Sequence, residues 1–117
     1  MFFSKSQRNV QDRMEGRKVA DALFKNRVHK LLTDSEEHFI NNCNFFFIAS
    51  LGEKHIDNSI KCGSPGFVQC LTKSKISWTD FDGNRMYRTI GNIIENGIVS
   101  LLFVNFENID KVKNGNN

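Results

Sequence analysis

The order of elements, helices first and then short strands with one inserted helix, predicts an α+β fold built on a small antiparallel sheet or barrel. Three observations carry this. Apolar residues in the first third recur at three- and four-residue spacing, as in Val10, Met14, Ala20, Leu23, Phe24, Val28, Leu31 and Leu32. After Asn44 the pattern changes to short aromatic and β-branched runs bounded by turn residues. One later stretch, Asn84 to Asn96, returns to helical period before a final apolar run.

Each element follows from its local chemistry. The periodic stretch from Ser6 to Leu32 predicts helix, which Gly16 divides into two shorter pieces. Thr33-Asp34-Ser35-Glu36 has the spacing of a capping box, so a second helical region is expected to run from Thr33 to about Asn42. Its acids Asp34, Glu36 and Glu37 sit in the first turn, where the helix dipole favours negative charge. Phe45 to Leu51 reads as a buried strand that Gly52 ends, and His55 to Lys61 as an alternating one. Gly63-Ser64-Pro65-Gly66 is a turn, and two strands, 67–71 and 75–81, flank Thr72-Lys73-Ser74. Asp82-Gly83-Asn84 breaks the sheet, and Asn96-Gly97 closes the inserted helix. Ile98 to Phe106 is expected as a central strand, and Lys111 to Lys113 as the start of a sixth.

The 117 residues suit a single core, with 39% hydrophobic and 25% charged residues giving a globular balance. No apolar run approaches the ~18 residues that cross a bilayer, and the first residues lack a leader pattern, so neither a membrane protein nor a secreted one is expected. Cys43, Cys62 and Cys70 match no zinc spacing, and His29, His38 and His55 are scattered, so no metal site is expected and reduced thiols in the cytoplasm are. Residues 1–32 carry a net charge of +5 and the remainder −2. Such a basic front end suits an acidic surface, but it lacks the interleaved aromatics of a nucleic-acid face, so nucleic-acid binding is disfavoured.

Two places suit a ligand. At 100° per residue Arg85, Arg88, Thr89 and Asn92 share one sector of the inserted helix, with Met86, Tyr87, Ile90, Ile93 and Ile94 opposite. The apolar side is expected to pack on the sheet, leaving two guanidiniums, a hydroxyl and an amide to meet a phosphate near the helix N-terminus. A solvated surface helix has the same pattern. On the strand before Gly63, Ser59 and Lys61 share one face, which fits either an anion groove or a plain sheet edge. No catalytic triad or carboxylate pair assembles, so any chemistry is expected from a cofactor.

Together, Phe45-Phe46-Phe47-Ile48-Ala49, Ser59-x-Lys61-x-Gly63-x-Pro65-Gly66-Phe67-Val68, Asp80-Phe81-Asp82-Gly83-Asn84-Arg85-Met86 and Gly91-Asn92-Ile93-Ile94-Glu95-Asn96 before Leu101-Leu102-Phe103 carry a family resemblance. The chain resembles the pyridoxamine 5′-phosphate oxidase-like FMN-binding split-barrel family, in the bacterial branch with a helical N-terminal extension. Cys62 stands where that branch has a glycine, and Gly97 where it has a proline. The resemblance implies a helical extension over 1–43 and an antiparallel split β-barrel over 44–117, incomplete at its C-terminus because members continue with further strands. It implies a homodimer with flavin mononucleotide at the interface. Ser59, Lys61, Arg85, Arg88 and Thr89 would then meet the phosphate, Trp78, Thr79 and Asp80 the isoalloxazine edge, and Asn92 a further polar atom.

The function that follows is an FMN-dependent oxidoreductase acting on a small substrate. The alternative is a flavin-binding protein without turnover, or a truncated inactive member. Related barrels also take deazaflavins and haem.

Overall fold

The structure is a computed structural model that describes residues 2–80 and 86–105. The expected turn at Asp82-Gly83-Asn84, Arg85 and the sixth strand at 111–113 lie outside those residues. The chain forms two compact units, 1–31 and 32–117.

The first unit is a pair of short helices, α1 (Lys5–Arg13) and α2 (Arg17–Arg27). Ser4 and Gln7 form a reciprocal capping box at the start of α1, each bonding the other's backbone N–H. The break expected at Gly16 is present, although the left-handed residue is its neighbour Glu15, at φ 57°. Arg17 pairs with Asp12 and Arg8 with Asp21, while the Arg8 guanidinium lies 4.6 Å from the Phe3 ring centre. Phe2, Phe3 and Phe24 gather their rings into a small aromatic group. Neither helix has a buried residue.

The second unit contains α3 (Asp34–Asn41), β1 (Phe45–Leu51), β2 (Ile56–Cys62), β3 (Val68–Thr72), β4 (Lys75–Trp78), α4 (Arg88–Glu95) and β5 (Val99–Leu102). The fold class is α+β, as the sequence predicts. Its sheets are antiparallel, one of three strands ordered β2-β1-β5 and one of two, β3-β4. No closed barrel is formed among the described residues.

Phe46, Ile48, Phe67, Val68 and Ile40 make the buried core, with Trp78, Leu101 and Phe103 packed against it. Phe46 stacks on Phe67 and Phe103 and meets Trp78 edge to face. Full burial of side chains such as Phe46, Ile48 and Val68 contributes about 1.5–3 kcal/mol each.

Helix α3 belongs with the sheets rather than with α1 and α2, because Ile40 enters this core. Its start is fastened by Lys73, whose ammonium bonds Asp34 and Glu37 and whose carbonyl accepts from Leu32 N at 2.8 Å. Its end is fastened by Asn41 Oδ1, which accepts from Cys70 N at 2.8 Å. The Thr33–Glu36 capping box forms with both reciprocal bonds.

Two expectations need correction. Strand β5 is not central among the described residues: β1 holds that place, and β5 pairs with it at the edge over four residues. The inserted helix begins at Arg88, because Tyr87 sits in the left-handed region at φ 54° and cannot continue a right-handed turn. No helix of the described residues is long and apolar enough to cross a membrane.

Candidate functional site

The polar face of β2 is set by the register of its partner. Phe46 and Ile48 point into the core, and their partners across the ladder are Lys61 and Ser59; Ser50 lies opposite Asp57. Asp57, Ser59 and Lys61 are therefore drawn to the inner face and half-buried, while Ile56 and Ile60 are turned outward. The strand shows the reverse of the usual apolar-in, polar-out alternation.

Helix α4 answers with its polar side. Thr89 is buried, and Asn92 donates to Ser50 Oγ at 2.9 Å and to Asp57 Oδ2 at 2.7 Å. Arg88 Nε donates to Asp57 Oδ1 at 3.0 Å. Ile90 and Ile94 are exposed. The expectation that the apolar face packs on the sheet is thus overturned, because the sheet presents Ser50 and Asp57 there and those groups require hydrogen-bonding partners. Gly52 permits this close approach: a Cβ there would lie 2.8 Å from Asn92 Oδ1.

The expected ligand residues fall into two groups along β2. At one end Arg88, Asn92 and Asp57 form one network, and at the other Lys61 Nζ bonds Asp80 Oδ1 at 3.0 Å. Ser59 lies between them on the same face. Trp78 is packed against Phe46 and serves the core, and Thr79 N donates to the Phe67 carbonyl at 3.1 Å. Thr89 is the buried residue of α4. Arg85 is outside the described residues.

A shallow cleft of about 480 Å3 opens over the first group, lined among others by Lys54, His55, Asp57, Tyr87, Arg88 and Asn92. That volume is within the range of small-molecule sites. Sequence reasoning missed Asp57, Lys54, His55 and Tyr87 as lining residues. Asp57 alone carried a signal, since it continues the two-residue spacing of Ser59 and Lys61. The Asn92 amide, and then the Arg88 guanidinium, hold the Asp57 carboxyl below its ordinary value by bonding its charged form. No group of His, Cys, Asp and Glu among the described residues is placed to hold a metal ion.

The donor set suits a phosphate: an ammonium, a guanidinium and a hydroxyl on one face. Lys61 and Arg88 each already have a carboxylate partner, so any anion taken up here would have to exchange with Asp57 on Arg88 or with Asp80 on Lys61. Asp57 and Lys61 are about 13 Å apart along the strand, which leaves Ser59 within reach of both long cationic side chains. No protein-family model, curated protein or solved structure matches this chain.

Proposed function

We propose that the chain binds flavin mononucleotide along the inner face of β2 and serves as an oxidoreductase of the pyridoxamine 5′-phosphate oxidase-like split-barrel type, as a homodimer in the cytoplasm. One observation carries the reading: Asp57, Ser59 and Lys61 face inward against α4 and Asp80, while Ile56 and Ile60 face outward. A row of polar groups held on the inner side of a strand is what a polar ligand needs. Lys61, Ser59 and Arg88 are the residues that would hold the phosphate, with Lys54 at the cleft as a further cation. Bound there, the flavin would supply the two-electron redox chemistry. The role of the protein is binding and orientation.

The test is a titration of the purified chain with FMN, followed by visible absorbance and flavin fluorescence, with riboflavin as the phosphate-free control. Saturable quenching by FMN that is at least ten times weaker for riboflavin is expected, with Lys61→Ala and Arg88→Ala each weakening FMN alone. Equal affinity for both flavins would remove the phosphate site, and no quenching would remove the flavin. The pairing of each cation with a carboxylate favours a second reading, an inactive member whose polar row is purely structural; it predicts no FMN binding, with Lys61→Ala and Arg88→Ala lowering the thermal midpoint instead.

A further inference from the structure

Asp57 offers Arg88 only one of its two oxygens. Oδ1 accepts from both Nε and Nη2 of the guanidinium, at 3.0 and 2.5 Å, while Oδ2 accepts from Asn92 Nδ2 at 2.7 Å. The pair therefore falls short of the two parallel bonds, to two oxygens, in which a guanidinium holds an anion best. It is also open on the arginine side: the Arg88 side chain is 54% exposed, against 19% for Asp57. The other pair on β2, Lys61 with Asp80, is 17% and 27% exposed and is the more sheltered of the two.

Arg88 can leave Asp57 without undoing the contacts around it. Helix α4 stays tied to β1 and β2 through Asn92, and its cap residue Asn96 donates to the Leu51 and Gly52 carbonyls at 2.9 and 3.0 Å. Asp57 keeps its bond from Asn92 when the guanidinium is gone. The cleft that Arg88 lines also holds Lys54 and His55, neither of them in an ion pair among the described residues, with Glu53 and Asp57 as its carboxylates.

We propose that Asp57 is a built-in competitor for the ligand's anionic group at Arg88, and that this competition selects phosphate monoesters and free phosphate over monoanions such as carboxylates. This rests on the anion site of the preceding reading and not on its flavin. A free carboxylate that displaces Asp57 exchanges one charge for one and lacks the advantage of being tethered beside the arginine. A phosphate monoester brings about two charges near neutral pH and three oxygens. It can meet the guanidinium through two of them, which Asp57 does not, and has charge left for Lys54 in the same cleft.

The test follows the thermal midpoint of the full chain against inorganic phosphate at constant ionic strength, with acetate as the monoanion and FMN titrated in parallel. Saturable stabilisation by phosphate and none by acetate is expected. Asp57→Asn should bind phosphate about fivefold tighter, the worth of one exposed ion pair released. Asp57→Ser, which also keeps an acceptor for Asn92, should do the same if the asparagine variant folds poorly. Asp34→Asn, which removes one negative charge outside the cleft, should leave the phosphate affinity unchanged, and Arg88→Ala should cancel the gain in the double variant. Tighter phosphate binding with no uptake of FMN upholds the competition and removes the flavin. A wild type and Asp57 variants that all ignore phosphate overturn the proposal, as does an affinity equal to the wild type's in both variants. An equal gain in Asp34→Asn, a gain that survives Arg88→Ala, or acetate binding as tightly as phosphate overturns it as well.

Discussion

Asn92 on α4 donates to the Asp57 carboxylate on β2 at 2.7 Å, and the same amide donates to buried Ser50 at 2.9 Å. One side chain thereby joins the inserted helix to both strands of the β1–β2 hairpin. Removing it leaves Ser50 without this donor in a dry position, a cost of about 1–3 kcal/mol. Asn92→Ala should lower the urea midpoint accordingly. Asn92→Asp should be worse at neutral pH, because a second carboxylate would then face Asp57, and should recover in part toward acid.

The same contacts set a pH dependence. Asp57 is held below its ordinary value by Asn92 first and Arg88 second. A group whose folded pKa is depressed stabilises the fold above its unfolded value, near 4, and that contribution is lost as pH falls through the folded value. Asp34, lowered by its bond to Lys73, acts in the same direction. The urea midpoint should fall as pH drops below about 4. In Asp57→Asn the fall should be shallower, and an unchanged slope would detach Asp57 from it.

Three glycines separate by what surrounds them. At Gly63 a Cβ would come within 2.5 Å of the Phe67 ring, which is stacked on Phe46, so Gly63→Ala should cost about 1–3 kcal/mol. Gly52→Ala should also destabilise, by pushing on Asn92. Gly91 lies in α4, where an added methyl group would have no neighbour within 4 Å, and Gly91→Ala should stabilise by about 0.5–1 kcal/mol. Thermal melts of the three variants give the order directly.

The thiols should react in sequence. Burial raises Cys43 and Cys70 above the ordinary thiol value, whereas Cys62 is exposed at the end of β2. A chromogenic disulfide reagent should label one thiol quickly and the other two only slowly or on unfolding. Cys62→Ser should abolish the fast phase; two fast equivalents in the wild type would contradict the burial.

Much of the fold was legible where local chemistry decides it. The reciprocal Thr33–Glu36 box, the helix break near Gly16 and the run Phe45–Leu51 all act over a few residues. The candidate site was legible only as a set of residue types. A helical wheel shows that Arg88, Thr89 and Asn92 share a side of α4, but not that this side turns inward. That depends on what the sheet offers, and the inner face of β2 is fixed by Phe46 and Ile48 on another strand. Alternation in β2 alone pointed the other way, with Ile56 and Ile60 as its apolar residues. The placement of β5 at the edge was hidden for a similar reason: a continuous apolar run tells of burial on two faces, and not of neighbours in the ladder.

Strand β1 takes one partner a few residues away and the other from Val99–Leu102, about fifty residues on. The β1–β2 hairpin closes across only four residues and is available early in synthesis. The opposite edge of β1, with its row of open peptide groups, waits until nearly the whole described chain has emerged. Closing the longer loop costs about 2 kcal/mol more than closing the hairpin, and meanwhile an aromatic strand stays open to any passing neighbour. The period of greatest risk for this protein is therefore on the ribosome, between the completion of β2 and the arrival of β5.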